Sequence, residues 1–136
     1  MTPDEARQFV AANHHAVLAT RRRDGSPQMS PVVAALDPQG LVVVSTRETA
    51  VKALNLRRQP RCQLLCFTDR FFGPWVAIGG TAEIQSLPEA MPGLEGYYRA
   101  AVGEHPDWAE YRAAMVSERR LLIRIRIEEA GPNASG

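Results

Sequence analysis

The sequence predicts a β-rich α+β domain, a small antiparallel barrel of six strands with helices at its periphery. Three observations carry that expectation. Asp24-Gly25 separates two extended runs, "AVLAT" and "PQMSPVVAAL", and Asp-Gly between such runs is the strongest short-range hairpin signal. "DPQG", Asp37 to Gly40, places turn-forming residues before a further apolar run, Leu41 to Val44. Near the C-terminus, "RLLIRIRIEEA" alternates Ile123, Ile125 and Ile127 with Arg124 and Arg126, the period-two signature of a half-buried strand. Six strands with few helices dispose of their edges most simply by closing on one another.

Thr2 opens the chain as an N-cap candidate, with Pro3 at the first helical position and Glu5 in capping-box spacing. Residues 3–13 therefore read as a helix with Phe9 and Val10 turned inward. The three runs on either side of the two turns read as an antiparallel meander. "VSTRETAVKALNLRRQP", Val44 to Pro60, then carries a strand end into a helix that Pro60 stops. On that helix Ala50, Val51, Ala53, Leu54 and Leu56 form the apolar side, and Glu48, Lys52, Asn55 and Gln59 form a polar stripe. "RCQLLCFT" and "WVAIGGTAEIQS" are two more strands, and Gly79-Gly80 marks in the second a bulge or a close approach to the backbone. Residues 88–118 are helical in character, broken at Pro92-Gly93 and again from Gly103 to Pro106. One domain over residues 1–129 and a disordered tail over 130–136 account for the chain.

The 136 residues suffice for one domain with a real core. With 45% hydrophobic and 23% charged residues the composition is that of an ordinary globular protein. A net charge of +1 argues against nucleic acid as a partner, since a strong basic excess would be its footprint. No stretch approaches the ~18 apolar residues of a membrane span, and Asp4 and Glu5 break any signal-peptide pattern, so neither a membrane partner nor export is expected and a cytoplasmic location is the simplest reading. Cys62 and Cys66 fall on one strand roughly 13 Å apart at ~3.3 Å per residue, too far for a disulfide. They lack metal-ligand spacing with His14, His15 or His105, so no metal is expected and both read as core thiols.

The junction after Val44 is unusually polar and basic. Ser45 and Glu48 stand in S-x-x-E spacing and would form a capping box worth ~1 kcal/mol without any ligand. That leaves Arg47 unexplained, because a helix N-terminus already carries positive potential. Hydroxyls from Ser45 and Thr46, free N–H groups and a guanidinium are also the parts of a phosphate site, to which Lys52 could fold back. Both readings stand on local chemistry alone.

Taken in order, "VLATRRRDGSPQMSPV", "VVVSTRETAVKALNLRRQPRCQLLC", "WVAIGGTAEI" and "EYRAAMVSERRLLIRI" resemble the pyridoxamine 5′-phosphate oxidase-like superfamily of split β-barrels. Within it they are similar to the mycobacterial-type deazaflavin (coenzyme F420)-dependent oxidoreductases, with their L-A-T-x-x-x-D-G-x-P-Q, K-x-x-N-L-x-x-x-P and G-E-H-x-D-W patterns. The match runs from about Val17 to Ile127. The resemblance implies an FMN-binding-protein-like split barrel and a homodimer with cofactor sites at the subunit interface. It implies phosphate contacts from Ser45, Thr46, Arg47 and Lys52, with Asn55 supporting them. A cradle for the flavin-like ring follows from Gln28, Met29, Ser30, Pro31 and Val32, and a wall supplied by the partner from Trp75 and Ala77. Met29 and Val32 read equally as core, and Trp75 as a dimer anchor.

F420 is the cofactor the resemblance favours, with FMN the alternative. The anionic tail of F420 asks for cations beyond the phosphate, which Arg57, Arg58 and Arg61 or Arg21, Arg22 and Arg23 could supply, although charge runs are commonly just solvated. The implied activity is hydride transfer between a reduced deazaflavin and a small conjugated substrate such as an enone, quinone or tetrapyrrole. An FMN-dependent oxidase or reductase and a non-catalytic cofactor-binding protein are the rival readings. No Ser-His-Asp, Cys-His or paired-carboxylate constellation is visible, and hydride transfer needs none. No catalytic residue is assigned; Tyr97, Tyr98 and His105 are the side chains able to donate a proton.

Overall fold

The computed structural model describes residues 1–132. Helix α1 (Pro3–Ala12) starts as its sequence dictates. Thr2 Oγ1 accepts the Glu5 N–H at 3.2 Å and the Glu5 carboxylate returns to the Thr2 N–H, which completes the capping box. Val10 is fully buried, and Phe9 packs against the core at its edge. The strands are β1 (His15–Arg21), β2 (Pro27–Val33), β3 (Ala35–Leu36), β4 (Val42–Arg47), β5 (Arg61–Phe67), β6 (Trp75–Ser86) and β7 (Arg120–Gly131). Helices α2 (Val51–Arg58), α3 (Met91–Ala101) and α4 (Trp108–Ser117) lie between them.

All seven strands form one antiparallel sheet in the order β2-β1-β5-β6-β7-β4-β3. Seven replaces the expected six because the run after Asp24-Gly25 is broken at Ala34. Its N–H makes the last bond of the β1–β2 register, to the His14 carbonyl at 2.8 Å, and the chain then leaves β1 for β4. The first half of the run pairs with β1 and the second half with β4, so one continuous segment supplies both edges of the sheet. The sheet must therefore curl until its edges meet, and the seam between β2 and β4 is the split. The expected meander is modified accordingly, since β4 pairs with β3 and β7 and not with β2.

Period-two burial separates two cores. Inside the curl, Leu18, Leu64, Ile78, Ile123 and Ile125 pack with Val42 and Val44. Outside β3, β4 and β7, a second cluster of Ala35, Val43, Leu122, Leu94 and Tyr111 seats α3 and α4. Cys62 and Cys66 are free and buried, and burial pushes their thiols up to about 11 and about 12, so both are inert at neutral pH.

Gly79-Gly80 is both things its sequence offered. The β6–β7 register shifts there, leaving Glu128 as the extra residue of a bulge. A Cβ on Gly80 would overlap the Arg126 carbonyl oxygen. Pro92-Gly93 does not break the helix, because it falls in the first turn of α3, where proline's missing N–H has no partner to lose. Strand β7 runs two residues past the expected domain boundary at 129, with Ala130 and Gly131 opposite Ile78 and Ala77. Of the expected tail, residues 133–136 lie outside the described residues. No described helix is long and apolar enough to cross a membrane.

Candidate functional site

The polar junction is strand, not cap. Strand β4 continues through Arg47 because β7 pairs with it as far as Arg47 opposite Arg120, and the Glu48 N–H then donates to the Arg119 carbonyl at 2.9 Å. Helix α2 begins only at Val51, its N-cap Ala50 makes no side-chain cap, and no Ser45–Glu48 capping box forms. Glu48 instead binds Arg57 at 2.8 Å and Ser86. The objection to Arg47 in a first helical turn also lapses, since Arg47 lies in the strand.

The pleat divides the predicted phosphate residues. Thr46 is buried with the inner face, while Ser45 and Arg47 lie on the outer face with α3 and α4. Arg47 Nη2 reaches Glu118 Oε1 at 3.4 Å, and Arg120, from β7, reaches the same oxygen at 2.9 and 3.0 Å. Lys52, half-buried on α2, has no hydrogen-bond or ion-pair partner among the described residues. Burial, and then the Arg120 charge, hold its ammonium below the ordinary lysine range. Two arginines therefore share one carboxylate oxygen while an unpartnered ammonium feels the Arg120 charge, an arrangement that favours an added anion. Arg120 is the member sequence reasoning missed. The Arg119-Arg120 pair is visible in the chain, but its place beside Arg47 follows only from the β4–β7 register.

Asn55 stands apart from this group. It is 5% exposed, donates to Thr20 Oγ1 at 3.1 Å and accepts from Arg58 Nη2 at 3.1 Å. Thr20 in turn donates to Gln28 Oε1 at 2.8 Å, so a buried polar relay ties α2 to β1 and β2. This relay sets the phase of the helix. Ala53, Asn55 and Leu56 face inward, whereas Val51 and Leu54, expected inside, are more than half exposed.

The predicted ring cradle is likewise split by the pleat. Gln28, Ser30 and Val32 are half-buried on the inner face, and Met29 and Pro31 lie outward, Met29 being 64% exposed. With its Oε1 engaged by Thr20, Gln28 still has an amide N–H pair to donate. Ser30 Oγ is buried without any hydrogen-bond partner. Trp75 and Ala77 are exposed on the outer face of β6, three strands from β2 and so ~14 Å away at ~4.8 Å per strand. A single chain does not bring Trp75 to the cradle, whereas Ala77 shares with Met29, Val17 and Leu65 a shallow outer groove of about 420 Å³.

Tyr97 closes the seam. Its hydroxyl donates to the Val33 carbonyl at 2.8 Å, and the Ser45 backbone is near enough to oppose the rise in its pKa. Ala35 faces Val43, so extending that register by two residues sets Val33 opposite Ser45. The phenol thus occupies the place of a missing ladder rung, and burial raises its ionisation above the ordinary tyrosine value. Tyr98 and His105, the other proton-donor candidates, belong to an aromatic cluster with Trp108 and Tyr111. Replacing Tyr97 with Phe should leave the Val33 carbonyl without its hydroxyl donor, lowering stability by about 1 to 2 kcal/mol in urea unfolding. An unchanged midpoint would show that the rung carries no weight.

The surface arginines sort by partner. Arg57 is neutralised by Glu48, and Arg61 by Glu128 and Glu129. Arg21, Arg22, Arg23 and Arg58 instead line one pocket of about 430 Å³ and form no ion pair with a carboxylate among the described residues.

Comparison with known proteins agrees with this architecture. An F420H(2)-dependent biliverdin reductase of Mycobacterium tuberculosis (strain CDC 1551 / Oshkosh) is 28% identical over 126 residues, covering 92% of this chain and 83% of that protein. The crystal structure of a conserved hypothetical protein, Rv2991, from the same species superposes with a TM-score of 0.77 at 25% identity, covering 100% of this chain and 92% of that one. An F420 reductase structure shares the fold, with a TM-score of 0.70 at 18% identity over 92% of this chain and 94% of that one. The family model for pyridoxamine 5′-phosphate oxidase matches residues 2–133, nearly the whole curled sheet and its helices, and the chain belongs to that family.

Proposed function

We propose that this protein is an F420-dependent oxidoreductase that reduces a small conjugated substrate. The observation that carries the reading is Lys52, a half-buried ammonium on α2 without a hydrogen-bond or ion-pair partner, pressed by the Arg120 charge. A phosphate there would neutralise Lys52, Arg47 and Arg120 together through charge-assisted hydrogen bonds. Across the seam, the orphaned Ser30 hydroxyl and the spare Gln28 amide offer polar contacts to the edge of a flavin-like ring. These residues fit a phosphate-bearing cofactor of the flavin type.

The choice of F420 over FMN rests on the pocket of Arg21, Arg22, Arg23 and Arg58, four cations that form no ion pair with a carboxylate among the described residues and suit a cofactor with carboxylates beyond its phosphate. The relationship to an F420H(2)-dependent enzyme supports the same choice. When bound, a reduced deazaflavin supplies a hydride to an electron-poor carbon. The chain's own residues then have three tasks: the cations fix the phosphate, Gln28 and Ser30 orient the ring, and the apolar walls exclude water.

The outer face of β1, β2, β5 and β6 supports a homodimer as part of this proposal. Met29, Val33, Leu65 and Trp75 are all more than two-fifths exposed there, and Phe71 and Phe72 extend the patch at 75% and 89% exposure. Exposed apolar side chains gathered on one sheet face in this way suit an association surface. A second copy seated on it would bring the partner's apolar side chains toward Met29 and Pro31. The reduced-cofactor chemistry suits a cytoplasmic setting.

Fluorescence titration with F420 and FMN, followed by hydride-transfer assays on enones, quinones and tetrapyrroles, tests the proposal. F420 should bind more tightly than FMN and support turnover. Tight FMN binding without F420 binding would transfer the site to the FMN reading, and F420 binding without turnover across the panel would make the protein a carrier.

A further inference from the structure

We infer that Glu118 is a resident anion in the cation socket, a carboxylate that an incoming phosphate displaces, and that Arg120 is the cation that changes partner. The inference rests on reading the socket as a phosphate site.

Register forces the arrangement. Strand pairing sets Arg47 directly opposite Arg120, and like charges so placed repel unless something negative lies between them. The link from α4 to β7 supplies it. Glu118 caps α4, Arg119 takes a left-handed conformation at φ +54°, and Arg120 begins β7. Among the described residues Arg119 is the only non-glycine with positive φ, and the Glu48 N–H locks its carbonyl to the end of β4. That sharp turn folds Glu118 back over the guanidinium of Arg120.

The contacts are those of a temporary occupant. One oxygen, Oε1, serves both arginines, firmly to Arg120 and at 3.4 Å to Arg47, while Oε2 makes no hydrogen bond among the described residues. The hydrogen bond from Arg120 holds the Glu118 carboxyl below the ordinary range, so it remains anionic at neutral pH. Lys52 receives nothing from it. A phosphate monoester carries more charge than a carboxylate and has three strong acceptor oxygens, enough to engage Arg47, Lys52 and Arg120 at once. The side chain of Glu118 is 33% exposed and can turn outward to water as the phosphate enters.

The same carboxylate therefore steadies the empty socket and opposes its filling. Removing its charge while keeping its shape should trade the first property for the second. The test compares wild type with Glu118→Gln and Arg120→Gln. Thermal melts are taken with inorganic phosphate against chloride of equal ionic strength, and dissociation constants are measured by fluorescence for whichever of F420 or FMN the wild type binds.

In chloride, Glu118→Gln should melt below wild type, and phosphate should raise its melting temperature more than it raises that of wild type. Its cofactor affinity should increase about tenfold, and that of Arg120→Gln should fall about tenfold, the size of one charge-assisted contact. Equal phosphate responses in wild type and Glu118→Gln would overturn the inference and make Glu118 a permanent brace. If wild type binds neither cofactor, the reading of the site as a flavin-type pocket fails, while the phosphate melts still decide the role of Glu118.

Discussion

Replacing Arg47 and Lys52 together with alanine is expected to weaken cofactor binding by about 3 to 6 kcal/mol, from roughly 1.5 to 3 kcal/mol for each charge-assisted hydrogen bond removed. In a fluorescence titration that is a drop in affinity of more than a hundredfold. Stability should hardly change, for two separate reasons. The Arg47 side chain is 58% exposed and its single ion pair is long, and such surface pairs contribute little. Lys52 carries a charge that burial already disfavours, so its removal relieves the native state of an unpaired ammonium. The double variant should therefore unfold at the wild-type urea midpoint while failing to bind. Wild-type affinity in this variant would show the basic junction to be a solvated surface and remove the main support for the phosphate site.

Gly80→Ala is expected to cost about 3 kcal/mol or more, a large effect for the addition of one methyl group. Its Cβ would overlap the Arg126 carbonyl oxygen and stand 3.0 Å from Ile125 Cγ2. The obstacle is backbone at the centre of the sheet, so no rotamer change relieves it. Strands β6 and β7 would have to separate where the bulge already interrupts their ladder. Gly79→Ala is the control. There the new methyl would meet Glu129 side-chain atoms at 3.6 Å, an ordinary contact, and stability should hold or rise by a few tenths of a kcal/mol. Urea unfolding of both variants decides the point, and a Gly80→Ala effect below about 1 kcal/mol would mean that the bulge absorbs a side chain.

What the chain disclosed in advance was largely local. The Thr2–Glu5 box, the Asp24-Gly25 hairpin, the Asp37–Gly40 turn and the alternation through Ile127 involve residues near one another in sequence, and each formed as expected. Gly79-Gly80 was legible for the same reason, since glycine in a strand interior has few other uses. The break at Ala34 carried no punctuation, because apolar residues continue through it. Ser45 and Glu48 showed that a matching pattern is not a sufficient cause. The capping spacing is present, but pairing with β7 was available as far as Arg47 and took the chain first. Asn55 misled in the opposite way. A polar residue in the stripe with Lys52 was expected to support the phosphate contacts, and a partner far away in sequence, Thr20, drew it inside. Arg120 entered the site by the same kind of distant pairing.

The Tyr97 rung bears on how such a barrel can vary. In a closed barrel, the circumference is fixed by strand number and stagger, and changing it means rebuilding the sheet. Here the final contact between the two edges is made by a side chain reaching in from a helix. Its length and chemistry set the gap, so a single substitution on α3 can widen or narrow the opening between β2 and β4 while every strand keeps its register. The aperture is thus adjustable separately from the sheet that frames it.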